Sequence, residues 1–264
     1  MFKNLTIGQH YPIESPVHEL DPRVKIVVTF IYIISLFVIN NFLGYIAVGI
    51  FLAISIIASK VPFKFVLKGL KPILIIILIT FVINLLLTPG TPIFKFWIIK
   101  ITREGLHQAT FMALRLVLLI LGTSLLTLTT SPILLTDGIE SLLGPFKRIG
   151  LPAHELAMMM TIALRFIPTL MEETEKIMKA QKARGADFES GNLINRAKNL
   201  VPLLVPLFIS AFRRADELAM AMESRCYRGG ENRTRMRILK MRKGDGIAIF
   251  VFSIYMVAII MLKI

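Results

Sequence analysis

Five stretches of this chain run sixteen residues or more with almost no charge: around Val24 to Ile39, Phe42 to Ala58, Pro72 to Leu87, Leu106 to Leu128 and Ile247 to Leu262. Nothing else in the sequence constrains the fold as tightly. A helix of about 17–25 apolar residues crosses the hydrocarbon core of a bilayer. Inside that core the backbone must satisfy its own hydrogen bonds, so helices and closed barrels are the only spanning forms. Continuous apolar runs of this length select helices. The expected fold is an all-α membrane protein with about five transmembrane helices. The first and last runs are short for the task.

The chain is 55% hydrophobic yet carries a net charge of +14 over 264 residues. In a soluble protein such an excess would suggest nucleic acid. Here most of it lies between Lys147 and Lys243, and cytoplasmic segments of membrane proteins collect Lys and Arg. No nucleic-acid partner is expected. The layout reads as a cytoplasmic segment (1–23), transmembrane helices 1–4 (24–128), a cytoplasmic domain (129–246) and a final transmembrane helix (247–264). The loop with Lys60, Lys64, Lys68 and Lys71 falls inside. The loop with Lys95, Lys100 and Arg103 falls outside, against the rule, with Trp97 as an interfacial anchor. The basic run 233–244 reads as an anchor at anionic headgroups of the lipid bilayer.

The cytoplasmic stretch has helical periodicity. Leu156, Met160, Leu164, Ile167, Met171 and Met178 form one stripe, and Leu200, Leu203, Leu207, Ala211, Leu218 and Met222 another. Both helices are apolar in their first half and charged in their second. Pro168 and Pro206 lie inside them, where each removes a backbone donor and is expected to kink the rod. A shorter amphipathic helix is expected from a Thr136 or Asp137 cap to Gly144-Pro145. Two long kinked amphipathic helices, apolar at one end and charged at the other, suit a lever better than an enzyme pocket.

Each helix closes on similar words: "KAQKARGADF" (179–188) and "AMESRCYRGG" (221–230). Aligning Arg184 with Arg225 pairs Ala183 with Ser224, Ala180 with Ala221 and Glu175 with Asp216. Such an end has two readings. Gly185 can stop a helix and an arginine suits its negative pole. Alternatively, a small residue lets another backbone approach, and guanidinium makes bidentate contacts with a carboxylate.

With these residues in view, the chain resembles the T component of energy-coupling factor (ECF) transporters, an ABC-type uptake family. Three features carry the resemblance. "YPIESPVHELDPRVKI" matches the family's entry to the first span at Ser15, His18, Leu20, Asp21, Pro22, Arg23 and Lys25. The first Ala-Arg-Gly motif falls on Ala183, Arg184 and Gly185. The second falls on Ser224, Arg225 and Cys226, with Arg228 a turn away; serine and cysteine depart from the family pattern, and Gly229-Gly230 look like better stops for this helix. The plan of spans, coupling helices and a final span covers essentially the whole chain.

The resemblance implies a non-catalytic scaffold in a prokaryotic inner or plasma membrane. Its partners would be two cytoplasmic ABC ATPase subunits and a membrane-embedded S component that captures a vitamin or metal ion. The coupling helices would engage the ATPases through Ala183, Arg184, Gly185, Ser224, Arg225, Cys226 and Arg228. The S component would meet apolar residues such as Met160, Leu164, Leu203 and Leu207. ATP and Mg would sit on the ATPases, with no cofactor on this chain.

The remaining residues fit that frame. No Walker-type loop or H-E-x-x-H motif is present. Four dispersed histidines and the single Cys226 make no metal cluster. A self-contained secondary transporter or channel would want acidic or broken-helix sites in its spans, which hold almost no Asp or Glu. An intramembrane enzyme would want a convergent polar set. Arg115, in the fourth span, reads equally as a residue snorkelling to the interface or as one with an interior partner. Asn84 reads as an interhelical hydrogen bond or an interfacial residue. The methionines read as core filler or as an adaptable contact surface.

Overall fold

The computed structural model describes residues 10–96, 99–150, 152–188, 192–229 and 239–263. They fall into two compact units, Thr6–Leu142 with Arg237–Ile264, and Leu143–Met236.

The first unit holds the apolar helices. Asp21 caps α1 (Pro22–Val38): its carboxylate accepts the Arg23 N–H at 2.9 Å, and Pro22 takes the first helical position. α2 (Phe42–Ser59) stops at Lys60, which adopts a left-handed conformation with φ of 55°. The lysine loop contains a short helix, α3 (Phe63–Lys68), before α4 (Leu74–Leu87). α5 (Arg103–Thr129), α6 (Pro132–Leu143) and α9 (Lys243–Lys263) complete the unit.

Three helices among the described residues are long and apolar enough to cross a membrane: α2, α5 and α9. α1 and α4, with 17 and 14 residues, reach about 25 and 21 Å against a hydrocarbon core of about 30 Å. The five apolar runs are thus all helical, with α1 and α4 shorter than the other three.

α1, α2, α5 and α9 share a core built on Tyr32, Leu36, Val48, Phe111, Leu118 and Tyr255. Polar groups inside it are paired. The Tyr32 hydroxyl donates to the Leu118 carbonyl at 2.8 Å, and Ser35 and Tyr255 share a hydrogen bond of 2.7 Å. Gly122 makes the approach of α1 to α5 possible: a Cβ there would lie 2.3 Å from the Tyr32 ring. α4 packs on α5 and buries none of its side chains. Ile75, Leu78 and Leu87 therefore face outward, as a bilayer allows.

The fold is all-helical as expected, apart from one short hairpin that the sequence does not announce. β1 (Pro92–Phe96) and β2 (Ile99–Thr102) form an antiparallel hairpin between α4 and α5, with Lys95 opposite Lys100. The chain must reverse there, and local caps hold the reversal. The Thr91 N–H donates to the Glu104 carboxylate at 2.7 Å, and Thr102 Oγ1 donates to the Thr88 carbonyl at 2.8 Å while accepting the Gly105 N–H. Trp97, read as an anchor, lies outside the described residues.

The second unit contains a 3-10 turn (Gly144–Ile149), α7 (Ala153–Ala183) and α8 (Leu193–Glu223). The two long helices have 31 residues each, about 46 Å. α7 continues through Pro168, and α8 through Pro206 and also Pro202. α6 starts earlier than its expected cap. Ser131 Oγ accepts the Leu134 N–H at 3.4 Å, while Thr136 Oγ1 donates to the Pro132 carbonyl. α6 clusters with the apolar helices, and the compact second unit covers 143–236. The first half of the basic run 233–244, residues 233–238, lies outside the described residues.

Candidate functional site

α7 and α8 meet where Glu173 accepts a short hydrogen bond from Ser210 and an ion pair from Arg214 at 3.1 Å. Further on, the Asn199 side chain donates to the Asp187 carbonyl. Contacts that advance along α7 and the segment just after it retreat along α8, so the two helices run antiparallel. The Ser210 hydroxyl, and after it Arg214, holds the Glu173 carboxyl below its usual range.

This crossing divides the internal repeat evenly. Arg184 lies eleven residues beyond Glu173, and Arg225 eleven beyond Arg214. The register that aligns the two arginines also aligns Glu173 with Arg214, so equivalent positions of the repeat bond to each other. Each arginine stands about 16 Å along its helix from the crossing.

The helix ends match in their backbone. At the end of α7 the Gly185 N–H reaches the Lys182 carbonyl and the Ala186 N–H reaches that of Gln181, both at 3.0 Å, with Gly185 left-handed at φ of 86°. At the end of α8 the Cys226 N–H reaches Glu223 at 2.8 Å and the Tyr227 N–H reaches Met222 at 3.0 Å, with Cys226 left-handed at φ of 56°. Both are Schellman ends. The expectation that α8 runs on to Gly229-Gly230 is overturned, because Cys226 takes the glycine role. Arg184 and Arg225 each occupy the last position before the left-handed residue. Both are exposed, and neither has a carboxylate partner among the described residues. Ala183, Ser224, Cys226 and Arg228 are exposed beside them.

The apolar halves are less uniform. Met160 is 55% exposed and Leu164 and Leu207 are half-buried, whereas Leu203 is buried. Val201, Val205, Phe208 and Phe212 are exposed on α8. These residues were not singled out in the sequence, although a stripe one residue out of step with Leu200 and Leu204 would have included several.

The N-terminal motif folds into a junction of helix ends in the first unit. Ser15 Oγ and His18 Nδ1 are 2.7 Å apart, and His18 Nε2 lies 3.0 Å from the Tyr11 carbonyl. Burial foremost, with Lys25 and His10 adding to it against the Tyr11 carbonyl, keeps His18 below the usual imidazole range. Lys25 donates to the carbonyls of His18 and Thr129 at 3.1 and 3.0 Å, tying α1 to the end of α5. Asp245, at the start of α9, is fully buried and accepts the N–H groups of Asp21 and Arg242 at 2.7 and 2.6 Å. Arg23 donates to the Leu239 carbonyl. The motif thus brings together three helix ends. Asp245 was missed because its partner Asp21 is 224 residues away.

The two open residues in the spans resolve. Arg115 has interior partners: it donates to Tyr45 Oη at 2.9 Å and the Ile39 carbonyl at 3.3 Å, with its guanidinium 5.5 Å from the Phe37 ring centroid. Asn84 donates within its own helix, to the Thr80 carbonyl, rather than between helices. Among the described residues, no cluster of three His, Cys, Asp or Glu could hold a metal.

Residues 14–236 match the family described as "Cobalt transport protein" (CbiQ). Curated relatives named "Energy-coupling factor transporter transmembrane protein EcfT" are similar over nearly the whole chain. The protein of Clostridium kluyveri is 66% identical, with 94% of this chain and 93% of its own covered. That of Thermosediminibacter oceani is 64% identical, covering 92% of each. That of Bacillus subtilis is 54% identical, covering 90% of this chain and 91% of its own.

Proposed function

The chain belongs to the family of energy-coupling factor transporter transmembrane proteins, multi-pass components of the cell membrane, and on that premise we propose that it couples ATP hydrolysis by its partners to uptake. In this reading the apolar helices form a scaffold of five spans, with α1 and α4 completing the set. α7 and α8 are coupling helices on the cytoplasmic side. Two ABC ATPase subunits bind, hydrolyse ATP with Mg, and move. The exposed arginines transmit that motion, and a membrane-embedded S component carries a vitamin or metal ion across. The chain itself performs no catalysis and binds no cofactor.

One observation carries this reading: two backbone-equivalent helix ends, equidistant from a shared crossing, each presenting an exposed arginine. Two equivalent ends suit two homologous partners, each offering one acidic groove. The apolar halves, with Met160, Leu164 and Leu207 and the exposed face of α8, are where the S component would sit. Leu203 would act from beneath, as packing. An exposed apolar face of this extent marks an interaction surface.

The test is co-purification of the ATPases and substrate uptake for Arg184→Ala, Arg225→Ala and the pair. Removing one partner of a desolvated charge pair costs about 2–5 kcal/mol, roughly a thirtyfold loss of binding or more. Each single change should weaken assembly or uncouple hydrolysis from uptake, and the pair should abolish transport. Lysine should rescue poorly, since it lacks the planar fork. A double variant that assembles and transports like wild type would reduce both arginines to helix stops.

A further inference from the structure

A cavity of about 320 Å³ opens between α1, α2, α5 and α9, with apolar walls from Val24, Val28, Leu52, Leu125, Ala248 and Val251. It reaches from Lys25 and Thr129 to Tyr32 and Gly122, seven residues along each helix and so about 10 Å. Ile54 and Ile247 also line it and are 54% and 66% exposed. The groove therefore opens sideways, where the bilayer lies.

At the junction end it meets a second, polar cavity lined by Glu14, Glu19, Lys60, Arg242 and Asp245. Pro16, Leu20 and Gly244 line both, so the two are continuous. Most charges of the polar mouth are spent. Arg242 pairs with Glu19 at 3.0 Å, and Asp245 accepts two backbone N–H groups. Among the described residues, Lys60 and Glu14 have no such partner, and both are exposed. The mouth thus offers one cation and one anion at the head of a narrow apolar slot.

We propose that this groove is a lipid site, holding one acyl chain of a glycerophospholipid with a phosphoethanolamine headgroup. The phosphate lies against Lys60 and the ammonium against Glu14. An ammonium with N–H donors makes charge-assisted hydrogen bonds to a carboxylate. A quaternary choline lacks those donors, and a glycerol headgroup has no cation for Glu14.

The experiment is native mass spectrometry of the detergent-solubilised complex, titrated separately with palmitoyl-oleoyl phosphatidylethanolamine, phosphatidylcholine and phosphatidylglycerol. Phosphatidylethanolamine should bind at the lowest concentration. Lys60→Gln and Glu14→Gln change exposed side chains and should each weaken it at least threefold while narrowing its lead over the other two lipids. Gly244→Leu should obstruct the passage, since a Cβ there would meet only Leu20, at 3.8 Å. Ser55→Trp should fill the slot. Unchanged phosphatidylethanolamine binding in the two glutamine variants overturns the proposal even if Gly244→Leu or Ser55→Trp fails to assemble. So does a preference for phosphatidylglycerol. A wild-type complex that takes up no lipid also overturns it, and leaves the groove to a partner's helix.

Discussion

Glu173→Gln should loosen the crossing of α7 and α8 by about 2 kcal/mol. Two contributions make up that figure. A hydrogen bond to a charged group contributes about 1.5–3 kcal/mol, and Ser210 makes one to this carboxylate. The ion pair adds less: its side chains are 36% (Arg214) and 22% (Glu173) exposed, and half-exposed pairs contribute about 1 kcal/mol at most. Glutamine keeps a weaker bond to Ser210, which brings the loss down to about 2 kcal/mol, roughly thirtyfold in the opening equilibrium. Hydrogen exchange of peptides around 165–180 and 206–218, in purified protein, reads that opening directly. Arg214→Met should speed exchange only about fivefold, as loss of a pair near 1 kcal/mol implies. Acid provides an independent check. The carboxyl is held below its usual value of 4.5, so its contribution is complete above about pH 4.5 and is lost as pH falls through the depressed value. Acidification should loosen the wild-type crossing and leave Glu173→Gln unmoved. Exchange within twofold of wild type in Glu173→Gln would refute the idea that this pair holds the helices together.

Gly122→Ala should lower the thermal midpoint, because the new methyl would collide with the buried Tyr32 ring and overpacking costs about 1–3 kcal/mol; an unchanged midpoint in detergent would show that α1 and α5 do not approach so closely. Cys226→Gly should stabilise the end of α8 by about 1 kcal/mol by relieving a left-handed non-glycine. Gly185→Ala should cost a similar amount at the end of α7, where open space leaves only backbone strain. Slower amide exchange at Tyr227 in the first variant and faster exchange at Ala186 in the second are the expected readings.

Apolar runs and helical stripes were legible because each is a local pattern. The five runs became α1, α2, α4, α5 and α9, and the stripes became α7 and α8. What escaped depends on distant partners or on backbone geometry. Asp245 looks like a stray acid in a basic run until Asp21 is brought beside it. Arg115 could not be assigned before Tyr45 and Ile39 were in place. The hairpin after α4 was hidden because "PIFKF" and "IKIT" are short, and Lys95 and Lys100 read more simply as loop charges. Gly229-Gly230 drew the end of α8 too far, since glycine is the better left-handed residue and nothing local shows that Cys226 accepts that role. Both arginines were visible as a repeat. Their equal distance from Glu173 and Arg214 was not, since no sequence pattern says which residues of two helices will touch.

That crossing point also fixes a mechanical advantage. From it, α7 extends twenty residues back to Ala153 and α8 twenty-one back to Leu193, against eleven forward to each arginine. The long limbs are about 30 Å and the short ones about 16 Å, so under the proposed coupling a pivot here would multiply travel about twofold: 2 Å at an arginine would become nearly 4 Å at the apolar end of the same helix. Stiffness is divided the same way. Pro168, Pro202 and Pro206 all lie on the long limbs and none on the short ones. A proline interrupts the hydrogen-bond ladder and lets a helix bend. In the proposed coupling, the short limbs would serve as the stiffer input and the proline-bearing long limbs as a more compliant output that spreads a sharp displacement over several turns of helix.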